Sequence, residues 1–324
     1  MDVANNPLGA SFVYAPTKMH GTLLMKMLRL PLLFFLFCTV HPVFAAETAG
    51  ADALLAAYRE LRPKLDTNAF GAPIHVASTE EGRLKRGEVY GVIAHPFAQL
   101  AEVLRTPREW CAIALLHLNI KTCTHERAEP GEWLNFYSGR KFYEPPEQAY
   151  VLRYVFRVEA ARADYLAVTL TAKSGPFGTT DYRITLEAVP LESGAFVYFR
   201  YSYRTSLMSN VATTGYLATL GSGKLGFTVI GHDREGKLEY VGGVRGVVER
   251  NAMRYYLAIQ AFLESLDVPE TRRTEQRFQR WFDLTERYPA QLHELEKADY
   301  LKYKHQELAQ QVKRQQALDA AVAR

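Results

Sequence analysis

Residues Val248–Leu266, VERNAMRYYLAIQAFLESL, decide the fold. Val248, Ala252, Tyr255, Ile259, Phe262 and Leu266 are spaced by 4, 3, 4, 3 and 4 residues, so they line one face of an α-helix. An apolar stripe of that length must bury itself against a large surface, and Pro269 marks where the helix has to stop.

The surface lies upstream. The segments NIKTCTHE (119–126), WLNFYS (133–138), AYVLRYVFRVEAAR (149–162), YLAVTLTAKSG (165–175), DYRITLEAVPL (181–191) and AFVYFRYSYRTS (195–206) are rich in Val, Ile, Tyr, Phe and Thr and are bounded by turn residues. LGFTVIGHD (225–233) and LEYVGGV (238–244) read as two more strands, and the regular spacing predicts one antiparallel sheet. In 150–158, Tyr150, Leu152, Tyr154, Phe156 and Val158 share one strand face, with Arg153 and Arg157 on the other. Ahead of the sheet, 82–94 reads as extended. Phe97, Leu100, Val103 and Leu104 predict a short helix after Pro96, and a second one follows from Pro107. An amphipathic helix from Ala51 to Leu61, stopped by Pro63, precedes an irregular stretch through Gly71 and Pro73.

Strand, two short helices, a run of antiparallel strands and a long helix is an α+β order. The residues GEVYGVIAHPFAQLAEVLRTPREWCAIALLHLN (87–119) and LEYVGGVRGVVERNAMRYYLAIQAFLESL (238–266) carry it, and in that order the chain resembles the START-related, or SRPBCC, superfamily. The resemblance implies a helix-grip fold, a curved sheet wrapped around a long C-terminal helix, here with extra C-terminal helices. It also implies a hydrophobic or amphipathic, lipid-like ligand held between sheet and helix. The expected organisation is 1–46 signal peptide and upstream segment, 47–79 N-terminal helix and linker, 80–268 START-like domain and 269–324 polar helical extension.

Lys26 and Arg29 precede the apolar run Leu30–Val40, and Val43-Phe44-Ala45 supplies small residues at peptidase spacing. Cleavage after Ala45 or Ala46 and a periplasmic mature protein are expected, because a run of about 11 to 13 apolar residues falls short of the roughly 20 that span a bilayer. The segment upstream of the run makes Met25 or Met27 alternative starts to Met1. Removing Lys18, Lys26, Arg29 and Asp2 lowers the net charge from +4 to +2. It also leaves Cys111 and Cys123 as the two thiols, which in an exported chain predicts a disulfide.

At 48% hydrophobic and 23% charged, with basic residues dispersed among acids, the chain has the composition of a globular protein and not of a nucleic-acid binder. The stretch GYLATLGSGKLG (215–226) invites a nucleotide reading. A phosphate loop needs glycine five residues before Gly-Lys and a hydroxyl after it, and here Ala218 and Leu225 stand in those places. It reads instead as a connector whose glycines permit tight turns or close approach at Gly223 and Gly226. His293-Glu-Leu-Glu-Lys297 lacks the second imidazole of a zinc helix, and the other histidines are scattered. No Gly-x-Ser-x-Gly occurs. No nucleotide, cofactor or metal is expected.

Polar side chains on apolar elements are the remaining site candidates: Arg153, Arg183, Arg200, Tyr203 and Arg204 on strands, and Arg250, Asn251 and Arg254 on the long helix. An arginine in an apolar cavity can clamp a carboxylate or phosphate bidentately, whereas on the outer sheet face it would pair with acids such as Glu187 or Glu249. Trp110 and His117, seven residues apart, are expected to share a helix face. The ligand-binding set is thus Trp110, His117, Arg200, Tyr203, Arg250, Arg254 and Tyr255, with tyrosines 198, 201 and 256 in support. Two other readings stand beside enclosure. One is an enzyme of cyclase or hydrolase type in the same cavity. The other is an envelope protein with a filled cavity whose C-terminal helices contact a partner.

Overall fold

The computed structural model describes residues 50–129, 131–206 and 225–322. The segment read as a signal peptide and most of the glycine-rich connector lie outside the described residues. Ile74–Glu81 (β1), Leu84–Ile93 (β2), Ile120–Ala128 (β3), Gly131–Ser138 (β4), Tyr150–Ala161 (β5), Leu166–Ser174 (β6), Thr180–Leu191 (β7) and Gly194–Arg204 (β8) form one antiparallel sheet in the order β1-β2-β8-β7-β6-β5-β4-β3. Register breaks at Val158/Ala160 and Thr180/Arg183 are bulges of the kind that bend strands. Between β2 and β3 run the helices Phe97–Leu104 (α2) and Pro107–Leu116 (α3).

The long helix is Gly243–Glu264 (α4), and it lies against β1, β2 and β8. Val248, Ala252, Ile259 and Phe262 are all at most 1% exposed, so the stripe is spent on the sheet. The helix sits close because β2 carries glycine where it crosses: a Cβ on Gly87 would lie 2.4 Å from the Val248 carbonyl oxygen. Gly226 serves the same purpose on the other side, since a Cβ there would stand 2.9 Å from Gly246 Cα of the helix. This is the α+β helix-grip arrangement, with the strand before the short helices paired to the last strand of the sheet and the long helix laid across.

Several elements depart from expectation. The first helix, Ala51–Asp66 (α1), runs through Pro63. Leu65, 3% exposed, anchors its last turn in a cluster with Leu54, Phe196 and Tyr198 on the outer sheet face, and Arg62 bonds Asp66 at 3.0 Å. The stretch read as irregular after it contains β1, an edge strand whose Ile74 and Val76 alternate into the core while its end turns polar. The last two strands, Val229–His232 (β9) and Leu238–Tyr240 (β10), pair only with each other. Both long edges of β8, the strand they follow in the chain, are already taken by β2 and β7, so they cannot pair beside it.

The polar tail is firmly docked. It comprises Glu270–Thr285 (α5), Pro289–Leu292 (α6) and Lys297–Val322 (α7). Phe278, Trp281, Leu292 and Tyr300 are each at most 2% exposed, and Leu295, Leu301 and Leu308 pack on the core. Beneath α7 a fully buried cluster closes: Glu307 accepts from Lys121 of β3 at 2.8 Å and from Lys304 at 2.7 Å. Further along, the Cys123 amide donates to Gln311 Oε1 at 2.8 Å, and Gln315 exchanges two 2.9 Å bonds with the His125 backbone. Glutamine side chains therefore occupy the ladder positions that an edge strand would otherwise present to another chain.

Candidate functional site

A cavity of about 150 Å3 opens between the inner sheet face and α4. Its floor is Leu152 and Tyr154 of β5, Tyr182 of β7, and Tyr201 and Tyr203 of β8, which share one face through the two-residue period of strands. Its roof is Arg250, Asn251, Arg254 and Tyr255 of α4, and the turn after α3 contributes His117. Pro176 and Phe177 border it from the β6–β7 turn, where Phe177 has a left-handed backbone with φ of 56° and is 52% exposed.

His117 is held by local geometry. Helix α3 ends at Leu116, so His117 is the extended residue after it and not part of a face shared with Trp110. The Asn119 amide donates to Nδ1 at 3.1 Å, which places the proton of a neutral imidazole on Nε2. The ring is 3% exposed and lies on Tyr255 with centroids 4.6 Å apart. Burial, reinforced by the charges of Arg254, Lys304 and Lys121, pushes His117 well below its ordinary value, so it is neutral at pH 7. Nε2 is buried without a well-formed hydrogen bond among the described residues, the Asn251 side chain being the polar group beside the ring.

The cations beside it are buried as well. Arg254 Nη2 donates to Glu294 Oε1 at 2.9 Å and to the Leu292 carbonyl at 3.4 Å, and the other oxygen of Glu294 meets Lys141 at 2.6 Å. Arg250 Nη1 donates to the Leu225 carbonyl at 3.1 Å. Desolvation, then Arg254, lowers Arg250 to about 10, and desolvation lowers Arg254 in turn. Both are expensive charges kept next to an open space. Tyr154, Tyr201 and Tyr255 line the same space, are raised by burial, and make no hydrogen bond with a described residue.

Of the residues expected at the site, the structure brings His117, Tyr203, Arg250, Arg254 and Tyr255 to the cavity. It does not bring Arg200 or Trp110. Arg200 alternates with Phe196 and Tyr198 onto the outer face, where Nη2 donates to Thr185 Oγ1 at 3.2 Å. Arg183 falls on the same face by the same period, and Arg153 bonds Glu126 at 3.2 Å over the Trp133 ring. Trp110 is 1% exposed, donating from Nε1 to the Leu104 carbonyl at 2.6 Å. Tyr198 is on the outer face and Tyr256 packs on Gly91. Glu249 pairs with no outer-face arginine: fully buried, it accepts from Ser78 of β1 and from Thr228, pinning the segment before β9 to α4. The sequence reading missed Lys141 and Glu294, which sit on loops with no periodic signal. Cys111 and Cys123 are joined as expected, with Cα atoms 5.0 Å apart, tying α3 to β3 just beyond His117.

The fold and cavity thus define a helix-grip protein with a small, tyrosine-walled, cationic chamber. No family model matches the chain, and no curated protein matches it. Among solved structures it is similar to Ara h 8.0201, at 12% identity over 56% of this chain and 99% of that one, with a TM-score of 0.33. It is similar also to a START superfamily protein from Mycobacterium smegmatis, at 15% identity over 43% and 93%, TM-score 0.27. Norcoclaurine synthase from Thalictrum flavum is a third, at 16% identity over 45% and 80%, TM-score 0.29. The fold assignment rests on the strand order and helix placement described above.

Proposed function

We propose that the protein encloses a small amphipathic molecule between the sheet and α4, with the apolar part against the tyrosines and the polar part toward Arg250, Arg254 and His117. The carrying observation is that costly buried cations and an imidazole donor without a well-formed hydrogen bond border an open volume instead of packed side chains. About 150 Å3 is the size of cavity that accepts a single aromatic ring, which favours a compact ligand over a lipid with a full acyl chain. A catalytic reading has less support, because Glu294 is divided between Arg254 and Lys141 and His117 Nδ1 is engaged by Asn119. The C-terminal helices spend Leu292, Leu295, Leu301 and Leu308 on the core and leave Val312 exposed, which weakens the partner-docking reading.

We also propose export to the periplasm. The basic and apolar pattern of 26–45 supports it, as does the Cys111–Cys123 bond, since disulfides persist in oxidising compartments. Native mass spectrometry on protein recovered from a periplasmic fraction, with solvent extraction and N-terminal sequencing, tests both statements. The expected result is a co-purifying small molecule and an N-terminus at Ala46 or Glu47. A ligand-free protein showing no thermal shift across a panel of small amphipathic compounds overturns enclosure, and recovery in the cytoplasm with residues 26–45 intact overturns export.

A further inference from the structure

The chemistry of the chamber narrows what it takes, on the premise that it binds a ligand as proposed above. Among the described residues, its lining carries three cations, Lys141, Arg250 and Arg254, against one carboxylate, Glu294. Glu294 is already shared between Lys141 and Arg254, and the nearby Glu249 is saturated by Ser78 and Thr228. Two buried N–H groups in this lining lack a well-formed bond to an acceptor, Nε2 of His117, which has the Asn251 side chain beside it, and Nε of Arg254, on residues each 3% exposed. A buried donor left unpaired costs roughly 1 to 3 kcal/mol, so an acceptor that reaches both recovers that cost on binding. A neutral carbonyl oxygen could accept from both donors but would leave the surplus charge. An anion accepts from both and offsets part of that charge as well.

The rest of the chamber is aromatic. Tyr182 and Tyr203 stack at 5.2 Å, Tyr201 lies 6.1 Å from Tyr255, and Tyr255 in turn carries the His117 ring. Such walls suit one planar ring in edge or offset contact. We propose that the ligand is a small aromatic carboxylate, its ring among Tyr182, Tyr201 and Tyr255 and its carboxylate at His117 Nε2–H and Arg254.

Isothermal titration of the folded full chain at pH 7.5 with benzoate and phenylacetate, each against its amide, tests this. The expected result is at least about tenfold tighter binding of the acids, since hydrogen bonds to charged groups are worth more than those to neutral ones. His117→Phe keeps a ring on Tyr255 but removes the donor. It is expected to bring the acids down toward the amides, with a somewhat lower melting temperature because the Asn119 amide loses its acceptor. Should that variant not fold, the comparison of acid with amide on the unaltered protein still decides. Amides binding as tightly as acids would overturn the anion assignment while leaving enclosure standing. Binding of phenyl phosphate or of dodecanoate in preference to both acids would also overturn it. If no ring compound binds and no small molecule co-purifies, both readings fall.

Discussion

The Lys304 ammonium donates to the carbonyl oxygen of His117 at 2.8 Å, so the C-terminal helix holds the turn that presents the imidazole to the chamber. The Tyr300 hydroxyl grips the preceding Leu116 carbonyl at 3.0 Å, and Lys304 also reaches the Ile120 carbonyl at 3.1 Å. The tail, polar as it looks, is the back wall of the site.

Glu307 balances two buried lysines, and the three groups are unequal in consequence. Glu307→Gln leaves both ammoniums uncompensated and should cost about 3 to 5 kcal/mol. Lys304→Met leaves the Lys121–Glu307 pair intact and should cost clearly less, because burial already lowers Lys304 to about 8. In the unaltered protein the folded state binds fewer protons at Lys304 than the unfolded chain between about 8 and the ordinary 10.5, so this group makes stability rise with pH across that window. Urea unfolding of both variants from pH 7 to 10 checks the ranking and the slope. Equal losses for the two would contradict the charge balance.

His117 sets an acid limit on the fold. Its folded form resists protonation, whereas the unfolded chain takes up a proton near 6.5, so stability is lost as pH falls below that value. The slope is at most about 1.4 kcal/mol per pH unit from this residue. His75, pushed down to about 4 mainly by burial, contributes with the same sign. Comparing the unaltered protein with His117→Gln between pH 7 and 5 isolates the first term. The variant should show the shallower decline in unfolding free energy.

Joining Cys111 to Cys123 closes a loop of sequence separation 12, which the chain-entropy account values at roughly 3 kcal/mol. Double replacement by serine should lower the melting temperature by several degrees. Because the bond connects α3 to β3 on either side of His117, ligand affinity should drop beyond the loss of stability. Calorimetry paired with titration separates the two effects.

Gly87→Ala places a methyl group against the Val248 carbonyl, a backbone atom that cannot rotate away. The helix must shift off β2, at a cost of about 1 to 3 kcal/mol. Gly131→Ala, where nothing lies within 4 Å, is the control expected to change stability little. Thermal melts of the pair, with circular dichroism to confirm that the fold is kept, measure the difference.

Much of this architecture was legible along the chain. The 4-3-4-3-4 stripe of 248–266 fixed a buried helix, and the extended patterns located seven of the eight strands of the large sheet. Those periods are properties of the helix and strand backbones themselves, so they survive without knowledge of neighbours. The close approach at Gly226 was likewise readable, from a glycine with no other reason to be there.

What alternation could not settle by itself was which face of each strand looks inward, and that decided Arg200 against Tyr203. The sequence determined the elements, their order and the thiol pair, because these follow from local backbone geometry and composition. Tertiary structure alone decided that Lys121 meets Glu307 across 186 residues and that Glu294 closes a chamber built by α4 and the sheet. A buried charge is tolerated only where a distant partner arrives to satisfy it, and that arrival is a property of topology, which no local stretch encodes.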